Sequence, residues 1–285
     1  MNESGVMVTG WQLINYDWYY FNNSGAMETG WLYSGGDWYY LAGDGKMLTG
    51  FQTIGGVKYY LSGSGAMVTG WQCPYGDWYY FNSSGAMETG WLYSGGDWYY
   101  LASDGKMLTG FQTIGGVKYY LSGSGAMVTG WQYLYGDWYY FNSSGAMETG
   151  WLYSGGDWYY LGGDGKMLTG FQSIGGETYY LSSSGAMVTG WNQIGGNWYY
   201  FYSSGAMARS GNVNSGSKSY NFDSNGVCTN PYSDTPVYSY EYVWIPQTGK
   251  KYHTSSSCSG MNNPTRVTLS DAKSLGYTAC QKCCN

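Results

Sequence analysis

The sequence predicts an all-β protein made of repeated hairpins, followed by a small module of different composition. Three observations support this fold class: aromatic residues and glycine dominate the composition, one 20-residue pattern recurs without drift, and a turn sequence divides each copy. The 285 residues include 35 Tyr, 15 Trp and 48 Gly, and only 11% are charged. Because aromatic residues favour strands and glycine favours tight turns, we expect little helix.

An aromatic residue after Thr-Gly opens each unit, and a Gly-x-Met sequence closes it. Ten full units occupy residues 11–210, and partial units on both sides extend the repeat region to residues 1–228. A single hairpin is marginally stable in water, whereas stacked repeats can bury one face continuously, so we expect a solenoid. Residues 2–10 match the second half of a unit. We therefore expect an upstream part that would carry a signal peptide and a catalytic domain.

The units come in three kinds, which recur in order every 60 residues. Residues 26–71 and 86–131 differ only at Gly43 versus Ser103, which indicates recent duplication of a 60-residue block. Identity between blocks is therefore not independent evidence of selection, but the differences between the kinds are informative. The first two kinds carry two tryptophans, whereas the third kind carries Phe51, Phe111 or Phe171, and then Lys58, Lys118 or Thr178.

The centre of each unit predicts a two-residue hairpin turn. In the second unit, Gly35-Gly36 favours a turn of the primed type, which would place Trp31 opposite Tyr40 and Tyr33 opposite Trp38. Alternation along the strands then puts all four rings on one face. Two tryptophans and a tyrosine per unit on one face exceed what packing requires, and exposed aromatic platforms usually mark binding sites.

The repeat pattern is Gly-Trp, six residues, Trp-Tyr-Tyr-Phe/Leu, three residues, and Gly-x-Met-x-Thr. From residue 2 to about 228 it closely resembles the choline-binding repeats of Gram-positive cell-wall proteins. The Tyr-Tyr-Phe part is also similar to glucan-binding repeats of secreted glucosyltransferases and receptor-binding repeats of bacterial toxins. The resemblance implies a left-handed superhelix with about three hairpins per turn. It also implies that ligand lies between neighbouring hairpins, where aromatic faces attract a quaternary ammonium by about 0.5–2 kcal/mol per ring.

Carried over to this sequence, the resemblance implies cages made of two tryptophans from one unit and a tyrosine from the next. The six sets are Trp11, Trp18 and Tyr40; Trp31, Trp38 and Tyr60; Trp71, Trp78 and Tyr100; Trp91, Trp98 and Tyr120; Trp131, Trp138 and Tyr160; and Trp151, Trp158 and Tyr180. In third-kind units a lysine ammonium would repel a cation, so we expect no choline there. Trp191 and Trp198 face a degenerate unit with Asn221 in the tyrosine position, so we do not count them as a cage.

Several function classes are disfavoured. The net charge of −6 disfavours nucleic acid as the main partner, and no apolar stretch has the 18 or so residues of a membrane span. His253 is the only histidine, so the repeats can form no Ser/His/Asp set. We therefore predict a non-enzymatic module, secreted to the Gram-positive cell surface, that binds choline on cell-wall teichoic acids. The alternative is an adhesin for glucan or host glycan. Sugar-binding sites usually add side-chain amides or carboxylates for the hydroxyls, and few polar groups accompany the aromatic rings here.

Composition changes after the repeats. Residues 229–240 have the Pro, Ser and Thr content of a linker, and residues 241–285 then form a separate Cys/His module with more basic than acidic side chains. Thr268 and Asp271 resemble a helix-start signal for a short helix that would stop at Gly276.

The tail module is too short to fold stably without a metal ion or disulfide bonds, because about 45 residues bury too little apolar surface. His253, Cys258, Cys280 and Cys283 could supply the four N/S ligands that structural zinc prefers. Residues 272–283 resemble the zinc module of bacterial alkylation-repair regulators, which implies the same metal. Disulfides are the alternative, since a surface protein meets oxidising conditions.

Overall fold

Antiparallel hairpins make up the repeat region, as predicted. A computed structural model describes residues 7–215, 218–231, 242–253 and 264–280. The chain divides into two compact units, the first made of Met1–Leu152 and Leu161–Met167, and the second of Tyr153–Tyr160 and Leu168–Asn285.

The repeat strands are Gly10–Ile14 (β1), Asp17–Phe21 (β2), Gly30–Ser34 (β3), Asp37–Leu41 (β4), Gly50–Ile54 (β5), Val57–Leu61 (β6), Gly70–Gln72 (β7), Tyr79–Phe81 (β8), Gly90–Ser94 (β9), Asp97–Leu101 (β10), Gly110–Ile114 (β11), Val117–Leu121 (β12), Gly130–Leu134 (β13), Asp137–Phe141 (β14), Gly150–Ser154 (β15), Asp157–Leu161 (β16), Gly170–Ile174 (β17), Glu177–Leu181 (β18), Gly190–Ile194 (β19), Asn197–Phe201 (β20), Gly211–Ser215 (β21) and Lys218–Phe222 (β22).

The predicted hairpin register is confirmed. Trp31 pairs with Tyr40 and Tyr33 pairs with Trp38. Gly35 and Gly36 have φ values of 63° and 99°, which is the double positive φ of a primed turn. Each turn therefore sets which side chains share a face.

The fourth hairpin departs from this regularity. Pro74 lacks the N–H that a ladder position needs, and Pro74–Gly76 forms a 3₁₀ turn. The flanking strands β7 and β8 are only three residues long. Trp71 and Trp78 nevertheless keep a ring separation of 6.4 Å, close to that of the other units.

The core follows one position in each hairpin, the residue that ends the second strand. It lies on the opposite face from the tryptophans and is 0–1% exposed at Leu41, Leu61, Phe81, Leu101, Leu121, Phe141, Leu161, Leu181 and Phe201. A backbone bridge to the methionine six residues later, such as Leu41 to Met47, closes the loop behind it. Leucine and phenylalanine at this position therefore line the interior of the repeats.

Backbone hydrogen bonds join each hairpin to the next. The Met47 N–H donates to the Trp18 carbonyl at 2.8 Å, and the Met87 N–H donates to the Lys58 carbonyl at 2.8 Å. These links use no side-chain atom, so they persist in all three kinds of unit. Some junctions add an ion pair: Lys46 Nζ lies 3.0 Å from Asp17, and this hydrogen bond raises the pKa of the exposed ammonium.

The described residues of the tail form two short strand pairs and one helix. Strands Tyr242–Ile245 (β23) and Thr265–Thr268 (β25) pair antiparallel, while Lys251–Tyr252 (β24) and Thr278–Ala279 (β26) pair parallel. The predicted helix is present as Leu269–Ser274 (α1), with the Thr268 hydroxyl accepting from the Asp271 N–H at 3.0 Å.

Within the described residues, no helix has the length and apolar character that spanning a membrane requires. Most of the expected linker, residues 232–240, lies outside the described part.

Candidate functional site

The two tryptophans of a unit form an open corner on the exposed face. Trp11 and Trp18 stand 6.5 Å apart with their planes at 84°. Trp18 is 42% exposed and so presents much of its surface to solvent. The same arrangement, at 6.4 Å and 80–87°, recurs in the pairs Trp31 and Trp38; Trp71 and Trp78; Trp91 and Trp98; and Trp131 and Trp138. Two electron-rich walls at a right angle are suited to a compact cation.

A tyrosine of the next hairpin packs against the first tryptophan, and it is the residue immediately before the tyrosine of the predicted set. Tyr39 lies 4.8 Å from Trp11, whereas the expected Tyr40 packs at 5.2 Å on Trp31 of its own hairpin. The reason is strand alternation, because neighbouring residues point to opposite faces. The rings that meet the preceding hairpin at the other described junctions are Tyr59, Tyr99 and Tyr119.

Four of the other five expected tyrosines also pack within their own hairpins. The rings concerned are Tyr60, Tyr100, Tyr120 and Tyr180, each 4.8–5.1 Å from the first aromatic residue of its own unit. The sets that include Tyr160 and Tyr180 draw residues from both compact units, so their assembly stays a prediction.

A hydrogen bond orients the first tryptophan of first-kind units. The Trp11 indole N–H donates to the Ser34 hydroxyl at 3.3 Å, and Trp71 donates to Ser94 at 3.1 Å. The serine belongs to the next hairpin, beside its turn. The ring plane is therefore fixed by two hairpins together.

An open cavity lies at the same position in two of the third-kind units. Phe51, Lys58, Tyr79 and Met87 line a space of about 220 Å³ together with Gln52, Thr53 and Asp104. A second cavity of the same volume has Phe111, Gln112, Thr113, Lys118, Tyr139, Met147 and Asp164 around it. The first four positions correspond to Trp11, Trp18, Tyr39 and Met47, so ligand space lies between two consecutive hairpins. No pattern in the sequence predicted that Asp104, two units further along, would line this cavity.

Additional rings pack around the third-kind units. Tyr135, in the turn of the next hairpin, lies 6.2 Å from Phe111 and 6.5 Å from Tyr120. A hydrogen bond with Tyr135 raises the pKa of Tyr120, and burial raises the pKa of Tyr139. Both effects favour the neutral phenol, which can donate a hydrogen bond.

The last tryptophan pair offers no open corner. Trp191 is 8% exposed, because Tyr220 and Phe222 lie 4.6 Å and 5.6 Å from it. The Phe222 ring stacks on the indole at an interplanar angle of 28°. Tyr220 meets Trp191 as Tyr39 meets Trp11, so this pair differs from the six predicted cages in the burial of its first tryptophan and in the stacked Phe222 ring, and leaving it out of the cages stays a prediction.

Two of the four expected metal ligands lie in the described tail. His253 and Cys280 are 4% and 8% exposed, and they follow directly on the paired residues Tyr252 and Ala279 of β24 and β26. The other two, Cys258 and Cys283, are outside the described residues. Within the described ranges, no three His, Cys, Asp or Glu side chains gather as a metal site.

The fold and the aromatic corners define a hairpin-repeat protein with ligand sites between its repeats. The family model described as "Choline-binding repeat" matches residues 8–49, 68–109, 128–169 and 168–211. A second, described as "Putative cell wall binding repeat", matches residues 49–67 and 109–127. These matches cover more than half of the sequence, so the chain belongs to the choline-binding repeat family.

Solved structures support the same conclusion. CbpJ of Streptococcus pneumoniae is 35% identical, with a TM-score of 0.63 over 79% of this chain and 96% of its own. Choline binding protein F of the same species, in the presence of a peptidoglycan analogue, is 34% identical, with a TM-score of 0.60 over 77% and 92%. CbpF in complex with ipratropium is 32% identical, with a TM-score of 0.57 over 77% of this chain and 92% of its own. No curated protein matched the sequence. The chain is a choline-binding module of the cell-wall type.

Proposed function

We propose that the aromatic corners bind the choline groups of teichoic acids and so hold this protein at the Gram-positive cell surface. The observation that carries the proposal is the right-angled tryptophan pair met by a tyrosine of the next hairpin, as in Trp11, Trp18 and Tyr39. We revise the third member from Tyr40 to Tyr39 on that geometry. The role is binding rather than catalysis.

The strength of one such site follows from its chemistry. Each ring contributes about 0.5–2 kcal/mol of cation–π attraction, and a millimolar dissociation constant corresponds to about −4 kcal/mol. One cage is therefore weak, but several on one chain act together on a polymer that carries many choline groups. The resemblance further supports winding of the hairpins into a left-handed solenoid with about three hairpins per turn.

A calorimetric titration with choline tests the proposal, with thermal melting alongside. We expect millimolar binding and a rise in melting temperature, because choline binds the folded state. Trp18→Ala should lower the stoichiometry by one site. Tyr16→Ala is the matched control, since this ring is 97% exposed in a turn and should leave the stoichiometry unchanged.

A glycan-binding protein would behave differently in the same experiment. If saturating choline left the melting temperature unchanged while soluble dextran raised it, the adhesin alternative would replace this proposal.

We also propose a structural zinc ion held by His253, Cys258, Cys280 and Cys283. The support is that His253 and Cys280 are buried and stand at neighbouring positions after a parallel strand pair. Zinc would supply the staple that so short a module needs.

Elemental analysis of protein purified without added metal tests the zinc proposal. We expect about one zinc per chain, which is the content of one four-ligand site. His253→Ala should lose the metal, whereas Cys73→Ser should keep it, because Cys73 is an exposed free thiol of the repeats. Mass spectrometry that found Cys258 bridged to Cys280 or Cys283, with no metal, would overturn it.

A further inference from the structure

The cavities of the third-kind junctions differ in chemistry from the tryptophan corners. Each keeps apolar walls: Phe51 and Tyr79 stand 5.0 Å apart at 63°, and Met87 closes one side. The rest of the lining is polar, namely Gln52, Thr53, Lys58 and Asp104. The glutamine is shared with the first-kind units, where Gln12 follows Trp11, so the lysine and the aspartate make the difference: Trp18 and Ser64 stand at their positions in the first corner.

The two charged groups remain available to a ligand. In the described part of the chain, no carboxylate lies within ion-pair distance of Lys58. Asp104 accepts the Lys106 backbone N–H at 3.1 Å through one oxygen, while the Lys106 ammonium is engaged 2.7 Å from Asp77. Lys58 can therefore donate to a ligand and Asp104 can accept from it.

This combination selects the class of ligand. Lys58 repels a simple cation, and Asp104 repels a simple anion. A pyranose ring is uncharged, offers hydroxyls that both donate and accept, and has an apolar face that can pack on an aromatic ring. The cavity of about 220 Å³ is below the roughly 300–1,000 Å³ of sites for drug-sized ligands, which suits a single sugar ring.

The third copy of the block changes both charges together. Thr178 replaces the lysine, and Asn225 stands where Asp104 and Asp164 stand, immediately before the loop glycine. Residues 51–104 and 111–164 keep the pair, whereas this copy, which ends in the degenerate unit, lacks it, so we expect no such site at Phe171.

We propose that the junctions at Phe51 and Phe111 are two sugar-binding subsites, each holding one uncharged pyranose ring, separate from the choline cages. The ring packs on the phenylalanine and tyrosine, and its hydroxyls bond to the lysine and the aspartate. The Gln52 amide N–H already donates to the Thr49 carbonyl at 2.7 Å, so the glutamine lines the cavity without being counted as a donor to the sugar. This proposal goes beyond choline binding and does not depend on it.

Saturation-transfer NMR with isomaltotetraose and with a β-1,4-linked N-acetylglucosamine tetrasaccharide tests the subsites. We expect one of these probes to bind, and saturating choline not to displace it. The double variant Lys58→Met, Lys118→Met should weaken binding by about tenfold or more, as expected for the loss of a hydrogen bond to a charged group. Asp104→Asn with Asp164→Asn should act in the same direction.

A matched control uses the same loop position. Asp44 accepts the Lys46 N–H at 3.2 Å just as Asp104 accepts that of Lys106, but it lines neither cavity, so Asp44→Asn should bind sugar normally. A choline titration of each variant shows that it is folded and tests the cages independently. Absence of binding by both probes, displacement by choline, or unchanged affinity in both double variants would each overturn the proposal.

Discussion

Single residues decide what each junction can bind, while the contact between the first aromatic residue of a hairpin and a tyrosine of the next hairpin stays the same. Phe51 meets Tyr79 at 5.0 Å much as Trp11 meets Tyr39 at 4.8 Å. The difference lies at the second position, where Lys58 replaces a tryptophan. Lysine in place of tryptophan at this position therefore replaces an aromatic surface with a positive charge, while the contact between neighbouring hairpins is kept.

Lys58→Trp should convert a third-kind junction into a choline cage. The substitution removes a like charge and restores the second indole wall, while Asp104 remains to attract the cation. We expect calorimetry to find one more choline site per chain than in the unaltered protein. Lys46→Trp, on a lysine that pairs with Asp17 outside these cavities, is the control. An unchanged stoichiometry in Lys58→Trp would contradict the placement of the cage.

The sequence predicted part of this residue-level geometry. Opposition of Trp31 and Tyr40 followed from turn length, because a two-residue turn fixes the register. The contact of Tyr39 with Trp11 did not follow, since it depends on how one hairpin lies against the next. The same holds for Asp104, which approaches Phe51 from a unit two places along.

At the scale of elements, the loop after each hairpin depends on a close approach to the preceding unit. Gly45 has a φ of 83°, and a Cβ there would run into the Met27 side chain. Glycine is therefore required for conformation and for space. Hairpin, loop and neighbouring methionine form one structural element.

Gly45→Ala should consequently destabilise the repeats. The positive φ disfavours any residue with a Cβ, whereas the Met27 side chain is 43% exposed and can move aside, so the conformation predicts a loss of about 1 kcal/mol or more in the free energy of unfolding, measurable by urea denaturation. Gly43→Ala is the control in the same loop, because a Cβ there meets nothing within 4 Å and its counterpart is already Ser103. Equal stability of the two variants would count against this account.

At the scale of the whole molecule, two chemistries alternate along the sequence. Each 60-residue block contains two tryptophan pairs and one third-kind unit. The composition predicted the hairpin repeats and the aromatic sites, because turn glycines and strand alternation are local signals. It did not predict the mixed cavities, which form only where residues from three successive hairpins meet.

The backbone link from methionine to the preceding hairpin has a consequence for how such chains change in length. The hydrogen bonds of the Met47 and Met87 N–H groups involve only backbone atoms and therefore do not depend on side-chain identity. If a 60-residue block were removed or inserted, each junction between hairpins in the altered chain would be one that already occurs in the original chain. Misaligned recombination between the near-identical stretches 26–71 and 86–131 would produce such chains directly. The number of binding sites per chain can therefore increase or decrease by the content of one 60-residue block, and no new type of contact between hairpins is required.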